Sequence, residues 1–380
     1  MSDPILPGAT LGMLGGGQLG RMSLLAGRRM GYRFAVLEPK APCSAGAVAE
    51  DHFVAPYDDA GALARFAAKV EVATLEFENI PAATLDALEG VVPVRPGRKA
   101  LRICQNRARE KAFLSENGFP CAPHALVESL GQLREAAARI GFPCVLKTAD
   151  FGYDGKGQQR LESSADLPPA WESLAGRRTV LEGWVDFLGE YSVICGRNSQ
   201  GEPSAFPLLH NTHRNHILHT STCPAGLDPA LEEEAVELAS AIAEQLDLVG
   251  LVAVELFLTP GGWLVNEMAP RPHNSGHLTI DGHFTSQFEQ HIRLVCGLAP
   301  GATGQHTPAC MLNLIGAAAT PPPELLAELL AEPWAKLHLY DKGEARPGRK
   351  MGHVTFLADR VETARQLAAA WDQRLSPPQE

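Results

Sequence analysis

The stretch from Leu251 to Pro272 narrows the choice of folds more than any other part of the chain. Two runs rich in Val, Leu and aromatic residues flank Pro260-Gly261-Gly262, and Pro270 and Pro272 stop the second run, so the segment reads as a β-hairpin. Centred on Gly261, it pairs Thr259 with Trp263 and Phe257 with Val265, which brings Glu255 opposite Glu267 on one face. Like charges directly opposite each other destabilise a strand pair, so two carboxylates in an apolar hairpin call for a cation. A hard, oxygen-seeking ion such as Mg²⁺ fits best. The alternative is a pair of solvated glutamates on an exposed face.

The 380 residues suffice for two or three domains with separate cores. A formal net charge of -11 argues against a generic nucleic-acid or anionic-membrane binder, whose affinity comes from Lys and Arg. The eight cysteines include no Cys-x-x-Cys pair and read as reduced and mostly buried. Met1-Ser2-Asp3-Pro4 lacks the regions of a signal peptide, and no apolar run is long enough to span a bilayer, so a cytoplasmic protein is expected.

Ala9 to Leu14 reads as a buried strand entering Gly15-Gly16-Gly17-Gln18-Leu19-Gly20, then a helix to about Gly31 and a second strand, Arg33 to Leu37, closed by Glu38. Formally this is a dinucleotide fingerprint, although a glycine turn at a helix N-terminus serves any phosphate or simply tight packing. A strand over Val70 to Phe77 ends at Glu76 and Asn79, placed to meet ribose hydroxyls, with Asn79 as turn punctuation before Pro81 the plainer alternative. Helices are expected over Arg102 to Asn117, Ser129 to Ile140 and Pro229 to Leu246, and strands over Cys144 to Lys147, Thr179 to Leu181, Tyr191 to Cys195 and Cys310 to Ile315.

Between these lie the segments that carry chemistry. Gly152-Tyr153-Asp154-Gly155-Lys156-Gly157-Gln158 puts three glycines around one lysine, which suits a flap over phosphates, or else a plain hairpin turn. It lacks the Gly-Lys-Ser/Thr ending of a Walker loop. His210, His213, His216 and His219 recur every third residue, a spacing that alternates faces on a strand, so only His213 is singled out, as a polar ligand contact. Arg271 to His277 is dense in donors and too rich in proline and glycine for regular structure. Lys342, Arg346, Arg349 and Lys350 put four cations in nine residues of an acidic chain, a phosphate clamp or a solvated turn.

Together, Lys147 at a strand end, the Gly-Lys-Gly flap, the Glu-x-x-Val hinge from Glu182 to Val185 and the acid pair of a hairpin ending Asn266-Glu267-Met268-Ala269-Pro270-Arg271 resemble the ATP-grasp superfamily, in its order. Within it, Gly17-Gln18-Leu19-Gly20-Arg21-Met22, the flap, Pro272-His273-Asn274-Ser275-Gly276-His277 and Arg346-Pro347-Gly348-Arg349-Lys350 are similar to the 5-(carboxyamino)imidazole ribonucleotide synthases of purine biosynthesis. The resemblance implies an α/β chain, α+β in places, with three parts. They are a Rossmann-like, biotin-carboxylase-like domain over residues 1–100, the ATP-grasp domain over 101–305 with a lid at about 120–190, and a small domain over 306–380.

It also implies a reaction of ATP, bicarbonate and 5-aminoimidazole ribonucleotide, with Mg²⁺, in a homodimer. Carried over by position, Arg107, Lys147, the flap from Tyr153 to Gln158, Glu182, Gly183, Trp184, Val185, Glu190, His213, Asn266 and Glu267 would contact the nucleotide. Glu255 and Glu267 would hold the metal. Arg271 would sit near carboxyphosphate, shielded by Tyr153, Asp154 and Lys156, with Asp154 a candidate proton acceptor. Gln18, Glu76, Asn79, His273, Asn274, Lys342, Arg349 and Lys350 would meet the ribonucleotide.

Four rival readings stand beside this one. The formate-dependent glycinamide ribonucleotide transformylases usually read Asp-Thr-Gly-Met where this chain has Asn274-Ser275-Gly276-His277, and biotin carboxylase is longer. A nicotinamide oxidoreductase would use the Gly15 loop and Glu38 but leave Glu255, Glu267 and Lys156 unexplained. A catalytically silent nucleotide-binding regulator would have no need of intact metal carboxylates.

Overall fold

The computed structural model describes residues 3–150, 157–174 and 177–375. Four parallel strands open the fold: β1 (Thr10–Leu14), β2 (Arg33–Leu37), β3 (Asp51–Phe53) and β4 (Val72–Leu75), in the order β3-β2-β1-β4. Phe34 to Leu37 and Val72 to Leu75 are buried at every position, as strands covered on both faces must be. The helix Gln18–Arg29 makes the crossover from β1 to β2, burying Leu19, Met22, Ser23 and Leu24. The strand expected over Val70 to Phe77 is shorter, and Glu76 to Asn79 lie beyond its end.

A second, antiparallel sheet contains β5 (His124–Val127), β6 (Cys144–Thr148), β7 (Gln158–Leu161) and β8 (Thr179–Gly183), ordered β5-β8-β6-β7. The helix Leu130–Ile140 packs on it and starts as its sequence suggests, with Ser129 accepting from the Gln132 amide at 3.2 Å.

The remaining strands are β9 (Gly189–Arg197), β10 (Pro203–Ala205), β11 (Leu209–Arg214), β12 (Ile217–Cys223), β13 (Gly250–Thr259), β14 (Gly262–Ala269), β15 (Ala309–Ile315), β16 (Ala335–Leu339) and β17 (Lys350–Leu357). They form one nine-stranded sheet, β14-β13-β9-β11-β12-β15-β17-β16, with β10 on β9. Because β12 pairs with β15, strands on both sides of residue 305 share this sheet.

Three further expectations need correction. The hairpin turn is one residue tighter than predicted: Thr259 pairs with Gly262, Leu258 with Trp263 and Leu256 with Val265. A β-bulge then sets Asn266 outside the pairing, and Glu255 still meets Glu267. Arg102 to Asn117 is two helices, Arg98–Cys104 and Arg107–Glu116, because Asn106 is extended and caps the second by accepting from the Arg109 amide at 3.0 Å. The loop after Pro272 contains a buried 3₁₀ helix, Asn274–Leu278, rather than irregular chain.

Candidate active site

A cleft of about 1130 Å³ opens where the three sheets meet. Its wall holds Gln18, Glu76 and Asn79 from the N-terminal unit and Arg107, Lys147, Gln158 and Glu182 to Val185 from the middle. It also holds Glu190, His213, Glu255, Asn266, Glu267, Arg271, His273, Asn274 and Lys350. The sequence nominated every one of these. Lys342 and Arg349 are not on the wall: Lys342 Nζ donates to the Lys350 carbonyl at 2.9 Å, and Arg349 Nη1 to the Glu344 carbonyl at 3.0 Å. Gly157, with φ +73°, accepts from the Thr148 amide at 2.8 Å. Tyr153, Asp154, Gly155 and Lys156 lie outside the described residues.

The facing acids are embedded in a set of cations and amides. Arg107 Nη1 donates to Glu267 Oε2 at 3.0 Å, Asn266 Nδ2 to Glu255 Oε2 at 3.2 Å, and His273 Nε2 lies 3.3 Å from Glu255 Oε1. The bulge that sets Asn266 aside from the pairing leaves its side chain able to cap the neighbouring acid across the hairpin. Burial first, and then the facing Glu267, raise the Glu255 carboxyl above its ordinary range.

On the nucleotide side suggested by the sequence, Glu182 at the end of β8 is buried between two ammonium groups, Lys147 Nζ at 2.9 Å and Lys111 Nζ at 3.5 Å. Burial would raise its carboxyl, but the two lysines outweigh this and hold it down at about 2. Its second oxygen is buried without a protein partner. Phe187 and Phe257 stack on the wall with ring centroids 4.6 Å apart and planes 3° from parallel. His213 Nδ1 contacts Glu190, which raises the imidazole against the opposing pull of burial.

Elsewhere on the cleft wall, Arg271 meets Glu78 through both carboxylate oxygens, Nε to Oε2 at 2.5 Å and Nη2 to Oε1 at 3.2 Å, while Nη1 donates to the Pro272 carbonyl at 3.2 Å. Burial works to raise Glu78, and the guanidinium holds it below the usual carboxylate range. Asn274 exchanges two amide hydrogen bonds with Asn313 of β15, at 3.0 and 2.7 Å.

The glycine loop has a different occupant from the one its fingerprint suggests. Gly17 and Gly20 donate their amides to the two oxygens of Glu76, and Gly16 donates to Glu38 at 3.1 Å. A Cβ on Gly17 would stand 2.6 Å from Glu76 Oε1, so glycine is required by the carboxylate's approach. The helix N-terminus that would receive a pyrophosphate already holds a carboxyl group of the chain itself.

Four contributors went unnamed at the level of sequence. Lys111 stands four residues after Arg107 on one helix, a spacing that places both on the same face. Glu78 stands two residues after Glu76 and finds Arg271 only through the tertiary fold. Phe187 and Phe257 come together from separate segments and carried no local signal.

Fold and cleft together define an ATP-grasp enzyme. The sequence matches, in succession, the Ribonucleotide synthetase preATP-grasp domain over residues 8–105, the ATP-grasp domain over 112–288 and the Phosphoribosylaminoimidazole carboxylase C-terminal domain over 309–367. It is 42% identical over 375 residues to the N5-carboxyaminoimidazole ribonucleotide synthase of Bacillus subtilis strain 168, covering 97% of each chain. The ADP complex of an N5-carboxyaminoimidazole ribonucleotide synthetase superposes with a TM-score of 0.93 at 44% identity, covering 98% of each chain. The Aspergillus clavatus N5-carboxyaminoimidazole synthase in complex with ADP and 5-aminoimidazole ribonucleotide gives a TM-score of 0.87 at 31% identity over 97% of each chain. The chain belongs to the N5-carboxyaminoimidazole ribonucleotide synthase family.

Proposed function

We propose that the protein uses ATP to carboxylate 5-aminoimidazole ribonucleotide with bicarbonate, giving N5-carboxyaminoimidazole ribonucleotide, ADP and phosphate in purine biosynthesis. The observation that carries this reading is one cleft holding both the facing acids Glu255 and Glu267 and the Glu78-braced Arg271. Bicarbonate is a poor electrophile. Transfer of the γ-phosphoryl of ATP to it gives carboxyphosphate, whose breakdown releases phosphate and delivers CO₂ to the amine before water intervenes.

The residue types suit their places. Lys147, Glu182 and the 182–185 hinge receive the nucleotide, with Phe187 and Phe257 as an apolar platform. Glu78 takes the Nε edge of Arg271, so the outer N–H groups of Nη1 and Nη2 remain to hold the oxygens of bicarbonate or carboxyphosphate. Gln18, Glu76 and Asn79 take the ribose side, with His273, Asn274 and Lys350, and Lys342 and Arg349 behind them at the phosphate. Tyr153, Asp154 and Lys156 belong to the lid, Asp154 as proton acceptor from the amine.

The raised Glu255, facing Glu267, fits a hard cation. Among the described residues no group of three or more His, Cys, Asp or Glu gathers to form a protein-only metal cage, and two carboxylates plus phosphate oxygens is how Mg²⁺ is ordinarily held. Bound there, it would offset charge on the transferring phosphoryl. The same reading includes domains over 1–100, 101–305 and 306–380, a homodimer and a cytoplasmic location. Among the described residues no helix is long and apolar enough to cross a membrane.

The test is ATP hydrolysis measured with 5-aminoimidazole ribonucleotide or glycinamide ribonucleotide, each with bicarbonate or formate. Turnover is expected only with the aminoimidazole and bicarbonate. Preference for glycinamide and formate would replace this function with the transformylase.

A further inference from the structure

Away from the cleft wall, buried polar side chains gather where the helix Gln287–Val295, the 3₁₀ helix Asn274–Leu278 and strands β16 and β17 meet. Gln287, His277 and His353 are wholly buried and Tyr340 nearly so, yet none of the four lines the cleft. Gln287 determines the chemistry of the rest. Its Oε1 accepts from the His273 amide at 2.9 Å and its Nε2 donates to the His273 carbonyl at 2.7 Å, so one backbone residue fixes which end of the side-chain amide is nitrogen. A Cβ on Gly276 would come within 2.6 Å of that Oε1, which accounts for the glycine in this loop.

The same Nε2 faces His277 Nδ1 at 3.0 Å. An amide nitrogen can only donate, so Nδ1 accepts. Burial, followed by the surrounding His338, Lys350, Lys342 and Arg271, drives the His277 pKa far below its ordinary value, and the proton of the neutral ring is on Nε2. Against His277 packs His353, with ring centroids 5.0 Å apart. His353 stacks on His338 at 4.5 Å, and His338 Nε2 lies 2.8 Å from Asp281. The Tyr340 hydroxyl bonds His353 Nδ1 at 2.8 Å. Tyr340 leads directly into the basic turn, where Lys342 Nζ lies 5.7 Å from its ring centre and donates to the Lys350 carbonyl.

One end of this chain of contacts grips the backbone beside Arg271, and the other grips the base of the turn that delivers Lys350 to the cleft. We infer that Gln287, His277, His353 and Tyr340 are a buried positioning network that holds the Arg271–His273 loop and the 341–350 turn at a fixed separation. The reacting end and the phosphate end of the ribonucleotide are thereby gripped in register. The kinetic half of this inference rests on the function proposed above.

Two measurements test it. Tyr340→Phe deletes one hydroxyl and keeps the ring. Its Michaelis constant for 5-aminoimidazole ribonucleotide should rise about threefold to tenfold, the scale of one neutral hydrogen bond, with that for ATP within about twofold. An equal rise in both constants, or in neither, overturns the positioning role. The second is ¹⁵N NMR of the histidine-labelled wild-type protein, with the His277 signals assigned by their loss in His277→Asn. The Nε2–H tautomer is expected, and an Nδ1–H tautomer overturns the network whatever the kinetics. Should the wild type show no ribonucleotide-dependent turnover, the proposed function fails, and the tautomer alone decides for or against the network.

Discussion

Replacing Lys111 by Met tests the least expected charge in the site. Its side chain is 1% exposed, with Nζ 3.5 Å from Glu182 Oε2 and 2.8 Å from the Asn266 carbonyl. At an effective dielectric of about 20, a unit-charge pair at 3.5 Å is worth about 5 kcal/mol before desolvation. Stranding one partner of a buried pair costs roughly 3–5 kcal/mol, but Lys147 stays 2.9 Å from the same oxygen, so the loss should fall to about 2–3 kcal/mol. The carbonyl left without its donor adds ~1 kcal/mol. Urea unfolding of wild type, Lys111→Met, Glu182→Gln and the double variant gives the coupling directly. We expect about 1.5 kcal/mol or more between the two sites, and a raised Michaelis constant for ATP because both the hinge acid and the Asn266 backbone have lost an anchor. Additivity within ~0.5 kcal/mol, with ATP binding unchanged, would refute the bridge.

Glu267→Gln should lower Mg-dependent turnover by at least ~10²-fold, since one carboxylate leaves both the cation and Arg107 under-compensated, and turnover within a few-fold of wild type would remove the metal assignment. NADH titrated against its own fluorescence should show no saturable binding at micromolar concentrations, because Glu76 and Glu38 already occupy the glycine-loop amides. A saturable signal that ATP does not displace would contradict that occupancy. Stability should fall in acid. Burial depresses His283 and His291 from 6.5 to about 4, so between those values the unfolded chain binds more protons than the folded one. Their stabilisation is complete above 6.5 and lost as the pH drops through 4, up to roughly 3 kcal/mol for His291, which His291→Gln should reduce in pH-dependent melts.

How far the sequence could be read follows the range of the interactions involved. The acid pair was legible because alternation and a proline-glycine turn are local, and the missed turn register was compensated by a bulge at Asn266 that no local pattern marks. The break before Arg107 was also local: Asn106 is an ordinary helix-capping residue, overlooked because Arg102 to Asn117 reads as one continuous helix. The strand, loop and helix around Gly15 were readable, but what fills the loop was not, since Glu76 arrives from 56 to 59 residues away. Glu78 and Arg271 are 193 residues apart, and only the assembled fold pairs them. Lys342, Arg349 and Lys350 were grouped by proximity in sequence; of the three, Lys350 lines the cleft wall, and Lys342 and Arg349 bond backbone carbonyls of the same turn behind it.

The pairing of β12 with β15 has a consequence for how the molecule is made. During translation β9 to β14 emerge together, and until residues 309–315 follow, β12 is an open edge offering Thr220 to Cys223 to any passing strand. Asn274, whose amide is completed by Asn313, waits for the same event, and Lys350 arrives later still at the start of β17. The nascent chain thus acquires Glu182, Glu255 and Glu267 first, while the part of the cleft wall that carries Asn274 and Lys350 is completed by nearly the last strand to be synthesised. A ribosome that stalls after β14 releases a chain with an unprotected sheet edge, a natural mark for chaperones, and premature termination there removes the basic turn altogether.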